Sequence, residues 1–191
     1  MKILMHVCCG PCSVYPVKFL RELGHQVMGY FYNPNIHPYR EFKRRIGGLV
    51  DYAEQKNFKV EIDRNYGLTE FLRQVVFKEN KRCAICYDMR LKAVARKAAE
   101  QGFDAFTSTL LYSRYQKHEV LISKSEKFAE QYGVQFYYQD FREGWQQGID
   151  DSIAMELYRQ PYCGCIYSEQ ERYDKKLQKK MRQKKRDEQK S

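Results

Sequence analysis

Seven cysteines in three groups constrain this chain more than any other feature of its sequence. Cys8, Cys9 and Cys12 stand in HVCCGPCS, Cys83 and Cys86 in KRCAICYDMRL, and Cys163 and Cys165 in PYCGCIYS. The groups can meet only in a fold that brings the beginning, middle and end of the chain to one place. Seven is odd, so full pairing within one chain is impossible. The stretch MKILMHVCCG carries one lysine and a very short apolar run, so no secretory signal is expected. In the reducing cytoplasm that this implies, structural disulfides are rare. Metal ligation or thiol redox chemistry is therefore the expectation.

The pattern of elements predicts where the groups go. At 191 residues the chain is long enough for one domain with a real core. No apolar run approaches the roughly 18 residues of a membrane span. Residues 2–7 read as a buried strand, 11–23 as a helix opened by Pro11 and stopped by Gly24, and 25–32 as a second strand. The prolines of 33–38 mark a loop. A helix over 39–56, a strand over 58–62, helices over 67–78 and 83–101, a strand over 103–107, a helix over 115–132 and a strand over 134–138 follow. A short helix over 150–159 precedes the CGC. Alternating strands and helices predict an α/β fold with a Rossmann-like, doubly wound parallel sheet. HVCCGPC and the 33–38 loop then lie at the carboxyl ends of strands, where such sheets bind ligands. We expect one catalytic domain over 1–168 and a basic, helical C-terminal extension over 169–191.

The spacing within each group carries chemical information. Cys83 and Cys86, three apart at a helix start, can grip one metal centre; zinc, iron–sulfur and redox sites all use CxxC. Adjacent Cys8 and Cys9 diverge, which suits separate iron corners of a cubane better than one tetrahedral zinc. A [4Fe–4S] cluster on Cys8, Cys9, Cys83 and Cys86 is the expectation. Cys12, Cys163 and Cys165 remain. Either they hold a second, mononuclear iron, or Cys163 and Cys165 form a strained, redox-active disulfide.

The net charge is +10, and residues 169–191 supply half of it with ten Lys/Arg against five Asp/Glu. That surplus suits a polyanion or serves only as a solvated extension. His6 and His25 read as structural. His37 and His118 lie at strand–helix junctions suited to proton transfer or substrate contact. Neither GxGxxG nor a Walker-type loop is present, and cysteines occupy the first strand–helix turn. No nucleotide cofactor is expected.

Taken together, HVCCGPCS, FYNPNIHPYREFKRR, RCAICYDMRL, STLLYSRYQKHE, DFREGW and YRQPYCGCIYS resemble the QueH family of epoxyqueuosine reductases, over about residues 3–168. The resemblance implies a fold like that of the adenine nucleotide α-hydrolases, without ATP chemistry. It implies a tRNA substrate carrying epoxyqueuosine, removal of the epoxide oxygen as water, and no cobalamin. Two electrons and two protons are required, so an external low-potential electron donor is expected. An iron at Cys12, Cys163 and Cys165 could act as Lewis acid toward the epoxide oxygen. Asp140 is the first candidate for the proton donor, beside His37, Tyr112 and Tyr115. Tyr32, Asn33, His37, Tyr112, Arg114 and Tyr115 are candidate substrate contacts, by stacking on unpaired bases or by charge, with Arg142 a further candidate for phosphate. Two rival readings stand beside this one: an iron–sulfur tRNA thiolation enzyme, and a zinc-binding RNA-binding protein without catalysis.

Overall fold

The computed structural model of the chain describes residues 1–188. Five strands form one all-parallel sheet in the order β3-β2-β1-β4-β5, with β1 at Lys2–His6, β2 at Gln26–Phe31, β3 at Val60–Ile62, β4 at Ala105–Ser108 and β5 at Gln135–Phe136. Ile3, Leu4 and Met5 are fully buried, as a central parallel strand covered on both faces requires. The sheet is doubly wound. The chain leaves β1 toward β2 and β3, then returns to the other side of β1 with β4 and β5. The switch point therefore lies between the carboxyl ends of β1 and β4.

Helices α1 (Gly10–Glu22), α2 (Tyr39–Gln55), α3 (Leu68–Val75), α4 (Arg82–Glu100) and α5 (His118–Tyr132) connect the strands. The apolar face expected on α4 is present, with Leu91, Val94, Ala95 and Ala98 all buried. Among the described residues, no helix is long and apolar enough to cross a membrane. Helix α6 occupies Trp145–Ala154, not the expected 150–159. A 3₁₀ turn at Phe141–Gly144, opened by Asp140 accepting from the Arg142 amide, starts that helix early. Buried Leu157 then pins the chain after it, and its amide donates to the Ser152 carbonyl. Helix α7 (Ile166–Tyr173) spans residue 168, and α8 (Lys175–Glu188) follows Asp174. Residues 189–191 of the expected basic extension lie outside the described residues.

One backbone contact sets the position of the first cysteine group. A Cβ placed on Gly10 would stand 2.2 Å from the Gly48 carbonyl oxygen, so α1 meets α2 backbone to backbone. Gly48 in turn meets Tyr158, where an added Cβ would lie 3.1 Å from the tyrosine Cβ. The start of α1 is thereby fixed against α2 and against the segment that leads to the CGC. Gly10→Ala should cost about 1–3 kcal/mol by overpacking, read as a lower urea midpoint with unchanged slope. A variant as stable as the parent would mean that the two helices do not meet this closely.

Candidate metal centre

All three cysteine groups lie at helix N-termini. Cys9 is the N-cap residue of α1 and Cys12 lies in its first turn, Cys83 and Cys86 lie in the first turns of α4, and Cys165 is the N-cap residue of α7. Free amides and the positive end of each helix dipole favour the thiolate over the thiol there. Helices α1 and α4 both start on the carboxyl side of the sheet.

Cys8, Cys9 and Cys12 present sulfurs that lie within 4.8 Å of one another, all buried. Cys8 and Cys9 Sγ are 3.7 Å apart. Thr109, at the end of β4, accepts from the Cys8 amide at 3.1 Å and donates to Cys8 Sγ at 3.4 Å, tying the group to the switch point. Hydrogen bonds from Cys12 and then Cys9 hold the Cys8 thiol well below its usual range. Burial pushes Cys9 up, and hydrogen bonding to Cys8 pushes Cys12 up. Three thiolates cannot share so small an apolar volume without a cation between them. The donor set fits a thiophilic metal, and this triad could hold one.

Of the remaining four thiols, two share a cluster: Cys86 and Cys165 pack in a small apolar group with Phe71 and Val75. Burial first, then the charges of Cys163 and Cys165 among others, raise Cys86 to about 12 and push Cys83 up as well. All seven cysteines are free thiols, and Cys163 is the exposed one. Gln160 Nε2 donates to Cys12 Sγ and Gln116 Nε2 to Cys163 Sγ, each at 3.4 Å.

Two buried arginines, which the sequence reading passed over, brace these groups. Arg45 pairs with Glu41 at 2.7 Å and donates to the carbonyls of Cys163 and Tyr162. It thus ties the CGC to α2. Gly164 sits at φ +137 with Arg45 Nη1 and Ile36 against it, where an L side chain would be strained and crowded. Arg90 donates to Cys86 Sγ at 2.9 Å. The available signal was an arginine on an otherwise apolar helix face, at Phe42-Arg45-Ile46-Leu49 and Tyr87-Arg90-Leu91-Val94.

The other expected residues divide. His6 is buried and neutral, with its pKa lowered to about 3, mainly by burial. Its Nε2 lies 3.2 Å from Asn33 Oδ1 and its Nδ1 3.0 Å from Ser108 Oγ. Asn33 also donates to the Val7 carbonyl, so its polar atoms are satisfied internally. In the same loop, Asn35 and His37 are buried and none of their side-chain nitrogens and oxygens has a partner. Tyr112 is buried against Tyr15 and Trp145 and donates to the Trp145 carbonyl, which leaves no face for a base. Tyr115 is 83% exposed, edge-on to Trp145, and Arg114 lies over the same indole. Tyr32 stacks on Tyr30 and donates to Glu70. Asp140 is bridged by Arg142, which holds its carboxyl below the usual range, so it stays ionised at neutral pH. His118 sits beside Tyr138 at 3.2 Å. A surface hollow lined by Lys2, Arg21, His25 and Lys59 lies at the opposite, amino edge of the sheet.

His37 packs between Tyr66 and Phe71, and burial lowers its pKa to about 4. The unfolded chain protonates this ring near its ordinary value while the fold resists down to about 4, so stability falls as pH drops through that window. His37→Phe should remove about 1.6 kcal/mol of the loss between pH 6.5 and pH 5. Denaturant melts of metal-free protein at both pH values measure this, and parallel pH curves for parent and variant would refute it.

Comparison with known proteins places these features in context. A family model described as "Epoxyqueuosine reductase QueH" matches residues 3–171. A protein named epoxyqueuosine reductase QueH from Dehalococcoides mccartyi is 38% identical over 174 residues, covering 91% of this chain and 96% of that protein. One of the same name from Streptococcus pyogenes is 33% identical, covering 87% of this chain and 69% of its own length. Among solved structures, a predicted subunit of tRNA methyltransferase from Methanocaldococcus jannaschii superposes with a TM-score of 0.54 at 12% identity, covering 79% of this chain and 74% of that one. That likeness extends to the fold alone.

Proposed function

The chain belongs to the epoxyqueuosine reductase QueH family, and from that premise we propose how its thiols serve the reaction. The protein is an oxidoreductase of queuosine biosynthesis. Its substrate is the epoxyqueuosine of a tRNA, and the reaction takes the epoxide to an alkene and water at the cost of two electrons and two protons. An external low-potential donor supplies the electrons. Such an enzyme works where tRNA is, in the cytoplasm. The observation that carries this reading is the delivery of seven free thiols by three helix N-termini.

Cys8, Cys9, Cys83 and Cys86 would hold a [4Fe–4S] cluster, and Cys12, Cys163 and Cys165 a second iron. Bound iron would supply one-electron transfer and Lewis-acid activation of the epoxide oxygen. The adjacent sulfurs of Cys8 and Cys9 support the first assignment. Cys163 is exposed while its carbonyl is held by Arg45, so a substrate could reach its sulfur without the loop having to order. The buried Asn35 and His37, with four unpartnered polar atoms between them, would take polar groups of the substrate. Tyr115, on its Trp145 and Arg114 platform, would stack on an anticodon base. Asp140 enters as an anionic cap of its 3₁₀ turn, not as the acid. A second assignment rests on the 4.8 Å triad, in which Cys12 ligates together with Cys8 and Cys9.

Iron counting separates the two. Cys12→Ser should keep the broad visible absorption of a cluster and lose about one iron per chain, whereas Cys86→Ser should lose the colour. Colourless Cys12→Ser protein would favour the triad. In anaerobic turnover of epoxyqueuosine tRNA, Cys163→Ser should lose more than the roughly 10–100-fold that outer-sphere changes cost. A colourless, iron-free wild type that makes no queuosine would sink the assignment.

Helix α8 would bind phosphates through exposed Lys175, Lys176, Lys179, Lys180 and Arg182. Replacing all five by Gln should flatten the plot of log affinity against log salt by about 0.7–0.9 for each phosphate no longer neutralised, with turnover at saturating tRNA unchanged. An unchanged slope would make the helix a solubilising extension.

A further inference from the structure

Arg90 is only 1% exposed, on the face of α4 that also carries Cys86. Both of its hydrogen bonds end on that cysteine, from Nε to the carbonyl at 3.2 Å and from Nη2 to Sγ at 2.9 Å. Among the described residues no carboxylate lies within ion-pair distance of it. The other fully buried arginine, Arg45, has Glu41. A buried guanidinium without an anion is strongly unfavourable, and folds rarely keep one. The Tyr87 ring, 6.0 Å from its Cζ, offers a weak substitute. Apart from that ring, the group its guanidinium meets is Cys86, at the carbonyl and at Sγ. The chain therefore folds around a cation that no carboxylate offsets and that is aimed at a cysteine sulfur.

We propose that Arg90 is the built-in counter-charge of the thiolate–iron centre, a positioning residue that holds the Cys86 sulfur in place and favours the reduced state of the centre. The inference rests on the reading of Cys86 as an iron ligand. Adding an electron to a thiolate-ligated cluster makes it more negative, so a fixed cation and an N–H donor at a ligand sulfur both favour reduction. Arg90 supplies both from one side chain. Its two bonds to the same residue also fix the Cys86 side chain before any metal arrives. This role differs from that of Arg45, which has a carboxylate partner in Glu41 and whose other bonds go to main-chain carbonyls.

Two measurements on the full chain test the proposal. The first is an anaerobic redox titration of iron-loaded wild type, Arg90→Gln and Arg90→Lys, followed by electron paramagnetic resonance with iron content determined in parallel. Arg90→Gln keeps a donor and loses the charge, and should shift the reduction equilibrium at least tenfold toward the oxidised state, about 59 mV lower for one electron. Arg90→Lys keeps the charge and should stay much closer to wild type. Loss of iron from the Gln variant alone also supports the proposal. A Gln variant with the wild-type potential overturns it, and so does a Lys variant that loses iron or potential as far as Gln does. The second is thermal melting of reduced, metal-free protein. Removing an uncompensated buried cation, Arg90→Met should raise the melting temperature of the metal-free chain. A fall would mean that Arg90 is already compensated, and would overturn the inference. A wild type that binds no iron sinks the functional reading instead, and the metal-free melt still decides whether Arg90 lacks an anion.

Discussion

Mutual repulsion among buried thiolates is the constraint to which the rest of this structure responds. Three sulfurs within 4.8 Å cannot all ionise in an apolar interior unless positive charge surrounds them. The fold provides that charge in two forms. Cysteines lie at the starts of α1, α4 and α7, where the positive dipole ends are, and Cys165 Sγ accepts from the Ser168 amide. Arg45 and Arg90, both fully buried, add formal charge. Neither source alone serves all three groups. The dipoles act within a turn of each helix start, while each arginine braces one group, Arg45 at the Cys163 carbonyl and Arg90 at Cys86 Sγ.

The segment that carries Cys163 and Cys165 has almost no regular structure, yet it is held from several sides. The His37 amide donates to the Gly164 carbonyl, Tyr162 Oη donates to the His37 carbonyl, and Arg45 holds two carbonyls. Tyr158 donates to the same Glu41 that pairs with Arg45. The buried Glu41–Arg45 pair is thus the hub between α2 and the CGC. Its worth lies less in stability, since buried ion pairs seldom repay their desolvation, than in fixing where an otherwise loose loop puts its sulfurs.

Much of the fold was legible because parallel strands leave a plain record. The buried run of β1, the 3.6 period of α4 and the prolines around 33–38 each follow from local chemistry, and they lead to the doubly wound order. The misplaced α6 shows the limit, since a side-chain cap at Asp140 and a tertiary anchor at Leu157 set its bounds, and neither has a periodic signature. At the site, the cysteine groups and their helix-start positions could be read from spacing. Which side chains were already spent could not. Asn33 and Tyr112 offer the right chemistry in sequence, yet the first serves His6 and the second the Trp145 carbonyl. Asn35, two residues along the same loop, has its polar atoms free. Hydrogen-bond accounting of this kind needs three dimensions.

The switch point of a doubly wound sheet is an anion site by construction, because a helix N-terminus is aimed at it. Where a glycine-rich turn fills that place, the anion is a phosphate and arrives from solution. In this chain Cys8-Cys9-Gly10-Pro11-Cys12 fills it, and the anion is covalently part of the turn. The geometry of the switch point is that of doubly wound sheets in general, but its electrostatic sense is changed. A site that brings its own anions calls for a cation. The turn brings Gly10 backbone to backbone against Gly48 and leaves the sulfurs of Cys8 and Cys9 side by side at the end of β1. Thiols in the place where other doubly wound sheets cradle phosphate therefore make this edge one that could hold a metal.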